Sequence, residues 1–364
     1  MTKKLIMFMP SIEGGGVEKN FFIVSNYLIK FKKVSVITIS NQYKKKFDKN
    51  IKFISYKINL FDKLGRRLKY FLAFLLLIKE LINEKEKLVF CFQANIYAII
   101  ICKIFNVKII VRSNSAPIGW SKNILKKKIF KLILKLADKI MVNSVDFKKD
   151  LKKEFNVNSV CIYNPLNKTE ILKMSKSKIN NIYKKKYLKI INVGRFVDQK
   201  DQITLLKALN KIKNKLNFQA LLVGQGILKY QLKNYIKKNN LRHLIRLINF
   251  KKNPYPYIKQ ADLFVLTSSF EGLPNVLLES IVLNKFVISS DCRTGPKEIL
   301  LNGKGGDLFK VGDYKKLSKL IYEFHSKKEK KIKKLQFAKK HLFRFDYEIN
   351  LKKYLDLVNS VNHI

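Results

Sequence analysis

Within Leu263 to Leu283, LFVLTSSFEGLPNVLLESIVL, four consecutive apolar residues (Leu263, Phe264, Val265, Leu266) run through Thr267, Ser268 and Ser269 into a helix opened by Pro274. Leu277, Leu278, Ile281 and Val282 carry its apolar face. Glu271 sits in the turn, and Glu279 follows about a turn and a half into the helix at ~3.6 residues per turn. Unpaired amides at a helix start favour anions, so Gly272 to Val276 is suited to phosphate oxygens. Gly272 lets a ligand approach the main chain, and Pro274 suits the first helical position. Carboxylates beside an anion site would repel phosphate and are better placed to accept hydroxyls on either side of it. A nucleotide-sugar has that pattern. The same spacing also fits two solvated glutamates favoured by the helix dipole.

The strand, loop and helix grammar recurs along the chain. Leu5 to Met9 is a short strand that leads through Glu13, Gly14, Gly15 and Gly16 into a helix over Val17 to Phe31. Such a loop either cradles phosphate or merely turns tightly. Strands are expected at Val34 to Ser40, Lys52 to Tyr56, Leu88 to Phe92, Lys108 to Arg112, Lys139 to Asn143 and Ser159 to Tyr163. Helices are expected at Leu64 to Glu84, Ile96 to Phe105 and Lys122 to Leu136. Strands alternating with helices at this spacing argue for an α/β, doubly wound parallel sheet.

Residues 166–186 are polar and lysine-rich around Lys168 to Lys186 and read as a linker. A second alternation then starts. Strand Lys189 to Val193 leads into the loop Gly194 to Lys200 and helix Gln202 to Ile212. Strand Gln219 to Val223 leads into Gly224, Gln225 and Gly226 and a helix over Leu228 to Asn239. Strand Ile245 to Phe250, a short helix after Pro254, and the stretch at Leu263 follow. Phe286 to Ser290 is a further strand, and Gly295 and Pro296 open a short helix containing Glu298. Two α/β domains facing across a cleft is the economical arrangement: 1–165 as the N-terminal, acceptor-side domain, joined by a C-terminal helix over 345–364, and 187–344 as the nucleotide-sugar-binding domain.

At 364 residues the chain has room for two such domains, and 47% hydrophobic content supplies their cores. The formal charge of +49 is spread as lysine along the whole sequence. It implies an anionic surface or substrate, or a background bias toward lysine. No zinc-finger spacing, aromatic RNA-binding signature or basic region with heptads is present, so nucleic acid is not an expected partner. Cys91, Cys102, Cys161 and Cys292 share no close spacing and read as reduced core residues. No apolar run reaches the ~20 residues that span a bilayer. Leu64 to Glu84 and Lys122 to Leu136 combine bulky apolar residues with lysine and arginine. They fit helices lying on anionic lipid. For the second of these, packing of Ile129, Leu132, Ile133 and Leu136 into the core is an equal alternative.

Taken together, the segments GGGVEKN near Gly14, VGRFVDQKD from Val193, GQG at Gly224, FEGLPNVLLES and SDCRTGPKEIL from Ser290 resemble the retaining glycosyltransferases of family four, glycosyl transferases group 1. The resemblance spans nearly the whole sequence and implies the GT-B fold, two Rossmann-like domains. It gives Arg195 and Lys200 the donor diphosphate, Glu271 the hydroxyls of the transferred sugar, and Glu279 the ribose. Gly194, Gly224, Phe250, Lys251, Gly272, Leu273, Pro274, Asn275 and Val276 would line the donor. Gly15 and Gly16 would close over its phosphate and border the acceptor. Glu271, Arg195 and Lys200 are the expected catalytic residues. The implied reaction moves a sugar from a UDP-sugar, with its anomeric configuration kept, and needs neither metal nor a further cofactor. The segment Gly295 to Glu298 is similar to that of members using galactose-type or N-acetylhexosamine sugars. The implied acceptor is a lipid-linked or lipopolysaccharide glycan, met by a bacterial cytoplasmic enzyme peripheral to the inner face of the membrane.

Two departures stand out. Relatives often carry a histidine in the first domain, whereas here the histidines are His243, His325, His341 and His363. Asn114, in RSNSAP, occupies the corresponding region. Asn249 stands where relatives often have glycine before the base-binding turn. Competing readings are a catalytically inactive scaffold binding nucleic acid or another anionic polymer, and a nucleotide-sugar epimerase.

Overall fold

The computed structural model describes residues 4–56, 64–83, 87–114, 123–184 and 186–362. Readings that involve Lys63, Glu84, Ser115, Pro117, Gly119, Trp120, Lys122 and His363 lie outside the described residues. The chain forms two units, one made of Met1–Pro165 with Tyr347–Ile364, the other of Leu166–Asp346.

The first unit runs β1 (Lys4–Phe8), α1 (Gly16–Leu28), β2 (Val34–Ile37), β3 (Lys52–Ile54), α2 (Arg66–Asn83), β4 (Lys87–Cys91), α3 (Asn95–Ile104), β5 (Lys108–Arg112), α4 (Ile124–Lys135), β6 (Lys139–Val142), α5 (Val145–Phe155) and β7 (Val160–Cys161). Its strands pair in parallel in the order β3-β2-β1-β4-β5-β6-β7. Both faces are covered, which is why the strands read as unbroken apolar runs. In β1, Leu5 and Met7 pack on the side of Phe21 from α1, while Ile6 and Phe8 pack on the side of Leu77 from α2.

The second unit runs α6 (Lys168–Met174), β8 (Leu188–Val193), α7 (Gln202–Ile212), β9 (Phe218–Val223), α8 (Lys229–Lys238), β10 (Ile245–Ile248), α9 (Tyr255–Gln260), β11 (Leu263–Leu266), α10 (Asn275–Val282), β12 (Phe286–Ser290), α11 (Pro296–Ile299), β13 (Asp307–Phe309), α12 (Tyr314–Ser326) and α13 (Lys328–Lys340). Its parallel order is β10-β9-β8-β11-β12-β13. Helix α14 (Tyr347–Asn362) then returns to the first unit. There Leu351, Tyr354, Leu357, Val358 and Val361 join the same core as Met7 and Phe90.

The stretch expected as a linker, 166–186, is instead part of the second unit. Asn167 caps α6 by accepting from the Glu170 amide at 2.9 Å, Ile171 is buried, and Met174 O accepts from Asn253 Nδ2 at 2.9 Å. Two short turns of helix with a single buried apolar residue leave its lysines outside, so composition alone hides it. Helix α4 brings a second correction. Ile129, Leu132 and Leu136, offered as core residues, are exposed, with Leu132 at 65%, and it is Leu134 that is buried.

Where parallel strands lead away from two neighbours in opposite directions, the loops at their carboxyl ends open a crevice that ligands use. Those neighbours are β1 and β4 in the first unit, and β8 and β11 in the second.

Candidate active site

The switch point of the second unit brings together the loop after β8, Gly194 to Lys200, and the loop after β11, Thr267 to Pro274. Helix α7 is fixed behind the first loop by Asp201, whose carboxylate accepts from the Thr204 amide at 3.2 Å and its hydroxyl at 2.6 Å. The two loops are then sewn together. Gln199 Nε2 donates to Phe270 O at 2.9 Å, the Ser269 amide to Gln199 O at 2.8 Å, and Thr267 Oγ1 to Lys200 O at 2.9 Å.

Across this seam Lys200 Nζ meets Glu271 Oε1 at 2.5 Å, and Ser268 Oγ donates to the same oxygen at 2.6 Å. Glu271 is buried, and its carbonyl oxygen accepts the Thr294 hydroxyl. Lys200 and Glu271, expected on different parts of a donor, are thus held against each other. Arg195 is exposed at the mouth of the same loop, and among the described residues its guanidinium makes no ion pair. Its backbone is anchored through Gln202 Nε2, which donates to Arg195 O at 3.0 Å. Cys292, buried beside Glu271 and Lys200, has its thiol pushed up to about 12, by burial first and then by the Glu271 charge.

Helix α10 starts at Asn275, so Pro274 is the cap and not the first helical residue. Gly272, Leu273 and Pro274 are buried while Asn275 and Val276 are half-buried. Glu279 stands in the second turn, buried, and its Oε1 accepts from the Tyr255 hydroxyl at 2.9 Å. Gly224 has a packing reason of its own, because a Cβ there would lie 1.9 Å from Gly194 O. Gly295, at φ +89°, brings its loop against Gly272, whose carbonyl oxygen would lie 2.4 Å from a Cβ. The two motifs VGRF and GQG, and likewise FEGLP and RTGP, are therefore mated pairs of loops.

At the end of β10, Asn249 Oδ1 accepts from Lys229 Nζ at 2.5 Å, Phe250 is exposed, and Lys251 Nζ lies 5.9 Å from the centre of the Tyr257 ring. Gly15 and Gly16 belong to the first unit. Gly15 precedes α1, and Glu18 folds back so that its Oε2 would be 2.7 Å from a Cβ at Gly15. Sequence reasoning missed Ser268, Thr294, Gln199, Gln202 and Tyr255. Ser268 carried a signal, since a serine three residues before a loop glutamate can hydrogen-bond back to it. The others become neighbours only through the sheet. Among the described residues no group of three histidines, cysteines or carboxylates is arranged to hold a metal ion.

Residues 173–341 match the family described as Glycosyl transferases group 1. An uncharacterized glycosyltransferase of Methanocaldococcus jannaschii is 34% identical over 218 residues, covering 56% of this chain and 53% of that protein. The N-acetylgalactosamine-N,N'-diacetylbacillosaminyl-diphospho-undecaprenol 4-alpha-N-acetylgalactosaminyltransferase of Campylobacter jejuni is 29% identical over 189 residues, covering 52% of this chain and 51% of that protein. The chain thus spans about half the length of these two curated relatives. The crystal structure of Anabaena Alr3699/HepE in complex with UDP-glucose superposes with a TM-score of 0.79, at 16% identity, over 98% of this chain and 100% of that one. This whole-chain likeness, together with the two parallel sheets, gives the fold as GT-B.

Proposed function

Since residues 173–341 match the glycosyl transferases group 1 family, we propose that this chain is a retaining glycosyltransferase that moves a galactose- or N-acetylhexosamine-type sugar from a UDP-sugar to a lipid-linked or lipopolysaccharide glycan. The observation that carries the reading is the Lys200–Glu271 pair across the switch point, with Arg195, whose guanidinium makes no ion pair among the described residues, on the same loop as Lys200. Arginine and lysine together suit a diphosphate, and the buried carboxylate suits sugar hydroxyls. Glu279, already oriented by Tyr255, takes the ribose hydroxyls. The amides at the start of α10 face phosphate or sugar oxygens.

In this scheme Arg195 and Lys200 stabilise the diphosphate as the glycosidic bond to it lengthens. The departing phosphate oxygen takes the proton of the acceptor hydroxyl, which attacks from the same face. The protein's contribution is position and fixed charge, with no metal and no cofactor beyond the donor.

The relatives' acceptors motivate the glycan class, since one relative is named for a diphospho-undecaprenol substrate. No helix among the described residues is long and apolar enough to cross a membrane. Helix α3 packs against both α2 and α4, and the three expose Phe71, Ile82, Tyr97, Ile104, Leu125 and Leu132 among lysines and arginines. That face suits peripheral binding to anionic lipid, where each basic residue adds ~1 kcal/mol. It supports a place on the cytoplasmic side of the membrane.

The test is a thermal-shift panel of UDP, GDP, ADP and UDP-sugars at fixed moderate salt. UDP at a hundred times its dissociation constant stabilises by ~2.7 kcal/mol. A selective UDP shift that Glu279→Ala removes is expected, whereas no shift with any nucleotide would overturn the reading.

A further inference from the structure

At the amino ends of β1, β2 and β3, the end of the first sheet opposite its switch point, the structure has an open cavity of about 710 Å³. The turn between α1 and β2 forms one wall. Its backbone is fixed: Leu28 O accepts from the Phe31 and Lys32 amides at 3.0 Å each, and Lys33 O accepts from the Leu5 amide at 2.9 Å. The turn thus presents Phe31, Lys32 and Lys33 from a rigid frame. Phe31 is 50% exposed, with the Tyr27 ring behind it at 5.2 Å between centres.

Lysine dominates the lining. Lys4 and Lys52, at the starts of β1 and β3, share Glu80 of α2 at 3.5 and 3.4 Å. Among the described residues no carboxylate lines the cavity, and the ammoniums of Lys32 and Lys33 make no ion pair. Asp48, two residues before Asn50 in the wall, is turned into its own loop, where its Oδ1 accepts from the Asn50 amide at 2.9 Å. Ser35, in the wall on β2, is fully buried and its hydroxyl has no partner. A buried orphan of this kind calls for an explanation, and a ligand oxygen is one.

The dipole at the end of α1 favours lysine just after it, which accounts for Lys32 and Lys33. It does not account for four lysines gathered around one cavity with a half-exposed ring in its wall. Four ammoniums against the single carboxylate of Glu80 concentrate positive potential in a concave site. Lysine binds phosphate as a point charge, and the ring offers an apolar surface to whatever the phosphate is attached to. Open α/β sheets take their substrates at the carboxyl ends of the strands, so a ligand at the amino ends is held without being turned over.

We propose that this cavity binds a phosphate ester, its phosphate held by Lys32, Lys33, Lys52 and the Ser35 hydroxyl and its organic group resting on Phe31. The site is separate from the donor site and does not depend on the glycosyltransferase reading.

The experiment is calorimetric titration of the full chain with phenyl phosphate at fixed moderate salt, with the UDP thermal shift recorded alongside. Wild type is expected to bind. Lys32→Met combined with Lys33→Met weakens binding by about tenfold or more, because each change removes a charged partner. Ser35→Ala weakens it by a smaller factor. Both variants keep the melting temperature and the UDP shift, since the groups removed hold nothing in the fold. Arg195→Ala leaves phenyl phosphate binding unchanged. Displacement by phosphatidate vesicles as well as by glycerol phosphate makes the ligand a lipid headgroup, and displacement by glycerol phosphate alone makes it a soluble ester. Wild type that does not bind phenyl phosphate, a double lysine variant that binds as well as wild type, loss of binding in Arg195→Ala, or displacement by neither competitor overturns the site. Absence of the UDP shift in wild type sinks the donor reading separately, whatever phenyl phosphate does.

Discussion

Removing one partner at a time from the Lys200–Glu271 pair separates what it contributes to the fold from what it contributes to donor binding. Lys200→Met keeps the aliphatic stem but leaves a carboxylate, 6% exposed, with the Ser268 hydroxyl as its one side-chain donor. Breaking a buried pair from one side costs about 3–5 kcal/mol. The Lys200 side chain is 17% exposed, so water reaches the gap and the lower end, ~3 kcal/mol, is expected. For a unit of this size that lowers the melting temperature by about 6–12 °C. Glu271→Gln keeps an oxygen for Lys200 and Ser268 and costs less, ~1–2 kcal/mol. The double variant is then milder than the sum of the two by ~2 kcal/mol. Binding runs the other way. A diphosphate must draw Lys200 away from Glu271, so Glu271→Gln tightens UDP by about fivefold while Lys200→Met weakens it by about tenfold or more. Thermal unfolding and calorimetric titration with UDP read both quantities. Additive stabilities in the double variant, or Glu271→Gln weakening UDP as much as Lys200→Met does, would refute the reasoning.

Three further outcomes follow from particular contacts. Gly224→Ala drives a Cβ into Gly194 O, a backbone clash no rotamer relieves, so about 3 kcal/mol of stability is lost together with UDP binding, read by the same melts. Burial holds the Lys285 ammonium below the ordinary lysine range, ahead of the opposing pull of Asp262. The unfolded chain therefore binds the proton more tightly, and stability rises with pH between the lowered folded value and the ordinary 10.5. Lys285→Met should raise the melting temperature at pH 7 and flatten that rise in a series of melts from pH 7 to 10. Leu132→Glu, on the exposed face of α4, should leave stability within about 0.5 kcal/mol yet weaken sedimentation with phosphatidylglycerol vesicles about tenfold.

The sheets were legible because a parallel strand buried on both faces cannot hide. Leu263 to Leu266 reads as an apolar run and Lys189 to Val193 as a strand led by Ile190 and Ile191, and the structure pairs Leu263 with Ile190 in adjacent strands. Helices whose lysines outnumber their buried residues were harder. Helix α6 buries Ile171 alone and vanished into a supposed linker. Helix α12, with Leu317, Leu320, Ile321 and Phe324 buried at helical spacing, carried a plain signal that went unread. In the site, Glu271, Glu279, Arg195 and Lys200 could be named from motifs, but not that Lys200 and Glu271 touch, since they stand 71 positions apart and meet only because β8 and β11 are neighbours.

Under the proposed function, the switch point of the second unit holds a nucleoside-diphosphate sugar and passes its sugar to an acceptor hydroxyl, releasing the nucleoside diphosphate. Transfer of radiolabel from UDP-sugars to polyprenyl-diphosphate-linked glycan in anionic vesicles, compared between wild type and Arg195→Ala, tests it most directly. Labelled glycan with at least one donor, and a loss of about a hundredfold or more in the variant whose melt is unchanged, is the predicted result. A variant that transfers label as fast as wild type, or wild type that releases no UDP with any donor and acceptor, would contradict it.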